Sequence, residues 1–341
     1  MIEAGDLDNL SARLHGRRSR LADGERLRSL CALASPAELA GALFPGSGLG
    51  YSRQVQARLA EDFVREALEL SSALGGARAR FIEWTAARLQ AENIKVMVRA
   101  LAAGFPPAIS GPLLMRLPAW PGVHYRRLAE AGTPEALVEV LPQGVLRDSL
   151  ERAYSVYKDQ NSSFFIEAAL DRDYLGELQS RLAALPRADR EYTAALVRQE
   201  TSVFDLMLAA RGKFFYGLEK KDLLPLFAPG SELSGRKISA MLSAPGVGSL
   251  RGLAAGAAVE AGPPEPDPSA LEALAWGRYA RLAARAFRGS HMGFGAVAGY
   301  LALRRLEVSN LITVAEGLRL GVPANELRPR LLPRSGGLVN V

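Results

Sequence analysis

The 341-residue sequence has a single cysteine, Cys31, so no disulfide can form within the chain. That fits a reducing compartment. Histidine is almost as scarce. His15, His124 and His291 lie far apart, and none has a Cys, His or carboxylate at metal-ligand spacing, which argues against a metal centre built on histidines. No apolar run approaches the roughly 20 residues needed to cross a bilayer. The N-terminus carries early acids and no hydrophobic block, so it does not read as a secretory signal. Glycine clusters occur, but none is a nucleotide loop. Gly46-Ser-Gly-Leu-Gly50 is not followed by Lys-Ser or Lys-Thr, and Gly246-Val-Gly-Ser249 is shorter still. Gly293-Phe-Gly-Ala-Val-Ala-Gly299 opens a helix but has no strand before it. Its small residues read instead as allowing close helix approach.

What is present is ordinary in amount and distinctive in pattern. Apolar residues make up 48% and charged residues 23%, enough for a well-formed core and against wholesale disorder. The 42 Lys and Arg exceed the 36 Asp and Glu by six. This mild excess suits an acidic protein partner. The arginines are scattered rather than clustered, so nucleic acid is not the expected ligand.

The periodicity predicts an all-α chain. Short amphipathic pieces fall at 22–33 and 36–44, the second behind the N-cap Ser35. A long helix follows from Tyr51, striped by Val55, Leu59, Phe63, Ala67, Leu70 and Leu74. Gly75-Gly76 breaks it, and a second long helix runs to Ala103, where Gly104, Pro106 and Pro107 stop it. The plan then recurs. A long stretch from Leu146 to Leu185, with a break near Lys158–Ser162, turns at Pro186 into a helix over 187–211. A third pair covers 269–287 and 293–320, behind a Pro-rich linker at 255–268. Three helical units follow: 1–105, 106–217 and 218–341.

The last long helix carries the clearest stripe: Val297, Leu301, Val308, Leu311, Ala315 and Leu318. Glu307 and Asn310 sit on or beside it. The same string begins at Gln90 and at Glu200, with Asn93, Val203 and Asn310 three residues on. Each string is followed by a short apolar block, Leu113–Leu117, Leu223–Phe227 and Leu327–Leu332. Asn93, Glu200, Glu307 and Asn310 are therefore expected to be packing determinants of a repeat rather than catalytic groups. Cys31, in a short apolar helix, reads as a buried inert thiol. Asn161-Ser-Ser163 is a glycosylation sequon by pattern only, and Arg288-Gly-Ser-His-Met292 looks like a cloning scar but stands between two helices and is read as native.

At these strings the sequence resembles the C subunit of bacterial and archaeal V/A-type ATPases, the family of the eukaryotic d subunit. Leu301-Ala-Leu-Arg-Arg-Leu-Glu-Val-Ser-Asn-Leu-Ile-Thr-Val-Ala-Glu-Gly317 is similar to the family's final helix, a Glu and then an Asn followed by aliphatic residues. Gln90–Ala100 repeats the pattern, and Glu200–Pro229 resembles the central segment, where Val203 or Asp205 stands near the expected Asn. The resemblance implies a funnel-like, pseudo-threefold helical body on the cytoplasmic face of the membrane, peripheral to it and not inserted. A protein of this kind joins the central stalk to the membrane proteolipid ring and transmits torque for ATP-coupled proton or sodium transport. It is non-catalytic and needs no cofactor. Candidate partner contacts are the basic residues Lys213, Lys220, Lys221, Arg328 and Arg330. The alternative is a helical-repeat adaptor unrelated to ATPases.

Overall fold

The computed structural model describes residues 4–117, 124–157, 162–265, 267–290 and 292–332, with the backbone alone at 4–8 and 11. Among them the elements are helices, and the one isolated bridge, Ala255 to Val259, closes a turn. Three short helices open the chain: α1 (Ala4–Arg18), α2 (Gly24–Leu30) and α3 (Pro36–Leu43). The first long pair is α4 (Ser52–Ser72) and α5 (Gly76–Ala102). After α6 (Pro107–Ser110), α7 (Tyr125–Glu130), α8 (Pro134–Glu139) and α9 (Val145–Tyr157) comes the second pair, α10 (Ser163–Ala183) and α11 (Arg187–Phe214). Then α12 (Lys220–Leu223), α13 (Gly235–Ser243) and α14 (Leu250–Ala254) precede the third pair, α15 (Pro268–Gly289) and α16 (Phe294–Arg319), and α17 (Ala324–Leu327) ends the series.

Local chemistry sets these boundaries. Ser35 accepts from the Glu38 N–H while Glu38 returns a carboxylate to the Ala34 N–H, a reciprocal cap that starts α3. Gln54 does the same for α4 by accepting from Gly50 and Tyr51. Gly75 and Gly76, both at positive φ, make the α4–α5 turn that a side chain would strain. The break in the 146–185 stretch falls between α9 and α10, and its residues 158–161, with the sequon's Asn161, lie outside the described residues, as does His291. The Pro-rich linker is only partly a linker. Ala257, Ala258 and Val259 are buried, and the Ala258 carbonyl accepts from Gln199 of α11.

The six long helices pack in a closed circuit. Besides the three hairpins, α5 packs on α10, α11 on α15, and α16 on α4. Every one of these contacts is antiparallel. Along α5 and α10, Arg181 donates to the Arg80 carbonyl while Arg99 pairs with Glu167. Along α11 and α15, Gln199 reaches the Ala275 carbonyl while Arg211 pairs with Glu272. Along α16 and α4, Tyr300 and Arg304 meet Glu66, and Glu316 meets Ser52. Strict alternation brings the C-termini of α5, α11 and α16 to one end of the body. The hairpin turns lie at the other.

Helix α16 is buried nearly all round. Its predicted stripe is buried, and so is the opposite face from Phe294 to Leu303. Close approach makes this possible: a Cβ on Gly299 would run into the Phe287 and Ala283 backbone of α15. The small residues at 293–299 are thus packing devices, as expected. Each fully buried Leu or Phe here contributes roughly 1.5–3 kcal/mol by the area rule. Between α5, α11 and α16 lies a cavity of about 20 Å³, lined in part by Ile82, Val197 and Leu301, which has room for about one water.

Candidate interaction surface

Each second long helix ends in the same construction. A glycine at positive φ stops it: Gly104 after α5, Gly217 after α11, Gly321 after α16. The next N–H folds back onto the helix, from Phe105 to the Ala100 carbonyl, Leu218 to Gly212 and Val322 to Gly317. A four-residue helix follows, then a 3₁₀ turn with proline as its second residue: Pro112, Pro225 and Pro329. The chain beyond that turn is tied back to the long helix by a side chain. Asn93 donates to the Met115 carbonyl (2.9 Å) and accepts from the Met115 N–H (2.8 Å). Asn310 treats Leu332 in the same way, at 2.6 and 2.7 Å. In the middle unit Asp205 accepts from the Ala228 N–H at 2.9 Å.

This corrects the register of the repeat. Asp205, not Val203, is the counterpart of Asn93 and Asn310, and one extra residue precedes Gly217. Ser202 then matches Gln90 and Glu307, while Glu200 falls two positions away. The apolar block of the first unit shifts as well: Ser110–Met115 corresponds to Leu223–Ala228 and Leu327–Leu332.

Large exposed apolar side chains gather at the end where these constructions lie. The first unit exposes Phe105, Ile109 and Leu113, the second Phe215, Tyr216 and Leu224, and the third Leu320. Tyr51 and Val156 add to them at the start of α4 and the end of α9. Among the described residues, only Met292 of this kind sits at the opposite end. Phe215 is 81% exposed, a poor place for a phenyl ring unless something covers it.

A family model described as ATP synthase (C/AC39) subunit matches residues 10–330. The chain belongs to the ATP synthase C/AC39 subunit family. It is also 24% identical over 358 residues to the C subunit of the A-type ATP synthase of Methanocaldococcus jannaschii, covering 97% of this chain and 88% of that one. Membership in the C/AC39 family leaves no room for an adaptor unrelated to ATPases.

In this C/AC39 family member the residues singled out in the sequence have distinct tasks. Glu307 accepts from the Ala22 N–H (2.5 Å) and pairs with Arg304, anchoring the segment between α1 and α2 on α16. Glu200 pairs with Arg305 across α11 and α16 at 2.8 Å, and the guanidinium lies against the rings of Trp276 and Tyr279. Burial opposes the Arg305 charge, but Glu200 and the neighbouring tyrosines more than offset it, so its pKa is raised. A second buried cluster joins α5 to α10, where Arg88 and Lys95 both reach Asp171 and Glu92. Cys31 is buried, donates to the Leu27 carbonyl, and has its thiol pKa pushed up by that burial.

The basic candidates divide. Lys213 is turned inward: its ammonium donates to the Leu242 and Ala244 carbonyls and so caps α13. Lys220, Lys221, Arg328 and Arg330 are exposed at the apolar end, although Lys220 reaches Ser239 and Lys221 reaches Glu219. Among the described residues no group of three His, Cys, Asp or Glu could hold a metal, and no helix is long and apolar enough to cross a membrane.

Proposed function

We propose that this protein is a non-catalytic rotor part, a socket that joins the central stalk of a V/A-type ATPase to its proteolipid ring and transmits torque for ATP-coupled ion transport. Its place is the cytoplasmic face of the membrane, held there by partners. Three units surround a pseudo-threefold axis in a funnel-like body. Each is taken to end after its trailing turn, near residues 115, 228 and 332, rather than at 105 and 217. The antiparallel circuit of long helices supports that arrangement, because each unit then repeats the contacts of the one before.

The observation that carries the reading is the concentration of exposed apolar side chains at one end, interleaved with Lys220, Lys221, Arg328 and Arg330. A free monomer gains nothing from such an end, whereas a permanent member of a complex has it covered on assembly. Closed antiparallel packing also resists twisting, as a torque-bearing part must. The test is affinity purification of the tagged chain from its native membranes. Central-stalk and ring proteins should co-purify. Recovery of the chain without either would refute the proposal.

A further inference from the structure

The three end constructions are alike except at one atom. Asn93 and Asn310 each present a donor and an acceptor to the returning chain, and both are used. Asp205 offers the same acceptor to Ala228 and its carboxyl also feels the Ser231 hydroxyl, but its second oxygen, Oδ2, is buried and makes no hydrogen bond. In the two sister units the corresponding side-chain atom is the amide Nδ2, which donates to a backbone carbonyl, that of Met115 for Asn93 and that of Leu332 for Asn310. A carboxylate can only accept there. A protonated carboxyl can donate.

We propose that Asp205 is a proton-operated clamp: protonated, it closes the turn at 224–228 onto α11 as Asn93 and Asn310 close theirs, and ionised, it releases that turn. The turn carries exposed Leu224 and directly follows Lys220 and Lys221, so its tightness bears on the apolar end of the middle unit.

The surroundings favour the proton. Asp205 is 0% exposed, and burial pushes its carboxyl up to about 7, against smaller opposing effects of the Ala228 N–H and the Ser231 hydroxyl. Burial and hydrogen bonds rather than a charged neighbour set that shift, and the nearest charged groups on several elements around α11 have partners of their own. On α10, Arg172 holds Asp173 and the Pro225 carbonyl. On α12, Lys220 reaches Ser239 and Asp222 accepts from the Glu219 N–H. Beyond the turn, Glu232 pairs with Arg198. Lys237 of α13 donates to the Ala255 carbonyl and Arg251 of α14 to that of Glu260. Glu272 of α15 pairs with Arg211, and Arg305 of α16 with Glu200.

The direction follows from linkage. The folded carboxyl holds its proton to higher pH than the ordinary aspartate value of 3.8. Its stabilising effect is therefore complete below that value and is lost as pH rises to about 7. Opening of the turn grows by up to about tenfold per pH unit over that window and levels off above it. Acidification tightens the middle unit, and no partner is needed for the effect.

The test compares the full-length wild type with Asp205→Asn from about pH 4.5 to about 8.5. Two readings are taken: thermal midpoints, and amide exchange of the 224–230 segment, each as a ratio between the two proteins at the same pH. The asparagine variant should gain over wild type as pH rises to about 7 and keep a constant advantage above it, with slower exchange of the segment at pH 8. A difference that is the same at every pH, or equal exchange at pH 8, would overturn the proposal. Should Asp205→Asn fail to fold, Asn310→Asp supplies the check. It transplants the acid into the third unit, where the 328–332 turn must become pH-sensitive in the same direction. A pH-independent Asn310→Asp protein would overturn the proposal equally.

Discussion

Replacing Glu200 with alanine should be among the most damaging single changes in this protein. Arg305 would keep its charge between Trp276 and Tyr279, with its nearest anion gone. Its side chain is 14% exposed and that of Glu200 is 9%, so water screens the pair little. Breaking a buried pair from one side costs about 3–5 kcal/mol, because the remaining charge stays desolvated. Against a total stability of ~5–15 kcal/mol, that is a large share. Urea unfolding of wild type and Glu200→Ala measures it directly. Two companions make the result diagnostic. Glu200→Met combined with Arg305→Met should recover most of the loss, since removing both charges removes the desolvation penalty. Breaking the exposed Lys221–Glu219 pair by Lys221→Ala should leave unfolding unchanged. A Glu200→Ala protein within about 1 kcal/mol of wild type would refute the reasoning, because Arg305 would then have to be reaching solvent.

Other outcomes follow from the packing. Leu311→Asp places a charge at a 1%-exposed position on α16 and should abolish cooperative thermal unfolding of the native fold. An unchanged midpoint would contradict the buried assignment. Gly299→Ala should cost about 1–3 kcal/mol, read by urea midpoint, since the new Cβ meets backbone of α15 rather than a side chain that could swing away. Phe215→Ser removes an 81%-exposed ring and should leave the midpoint of the isolated protein in place while weakening its recovery with the rest of the ATPase. Equal recovery would remove Phe215 from the interface.

Much of the helical framework was legible because its signals are local. Gly75-Gly76, Gly104, Pro186 and Gly321 stop or turn helices by backbone chemistry alone. The stripe from Val297 to Leu318 reported burial correctly, yet it under-read α16, whose second face is covered by neighbours that no periodicity reveals. The middle register misled for a physical reason. Glu200 resembles Glu307 in type, but the clamp is defined by what the side chain reaches some 20 residues on, and one inserted residue before Gly217 moved that role to Asp205. Lys213 looked like a surface cation because the two carbonyls it caps lie on α13, reached only through the tertiary fold. The exposed apolar end was invisible for the same kind of reason. Phe105, Phe215 and Leu320 are isolated residues at helix ends until antiparallel alternation gathers them.

The closed circuit of long helices also bears on how the chain is made. Its closing contact joins α4 to α16, the last long helix to be synthesised, roughly 220 residues after α4 is complete. At ~5–20 residues per second, the wait is on the order of 10–40 s. During it, the apolar side of α4 that will meet α16 is uncovered, and so is the side of α1 that packs on α16. The N-terminal third therefore leaves the ribosome as an unfinished surface. Holding that surface apart from other chains until α16 arrives is a requirement that the topology itself imposes on the cell.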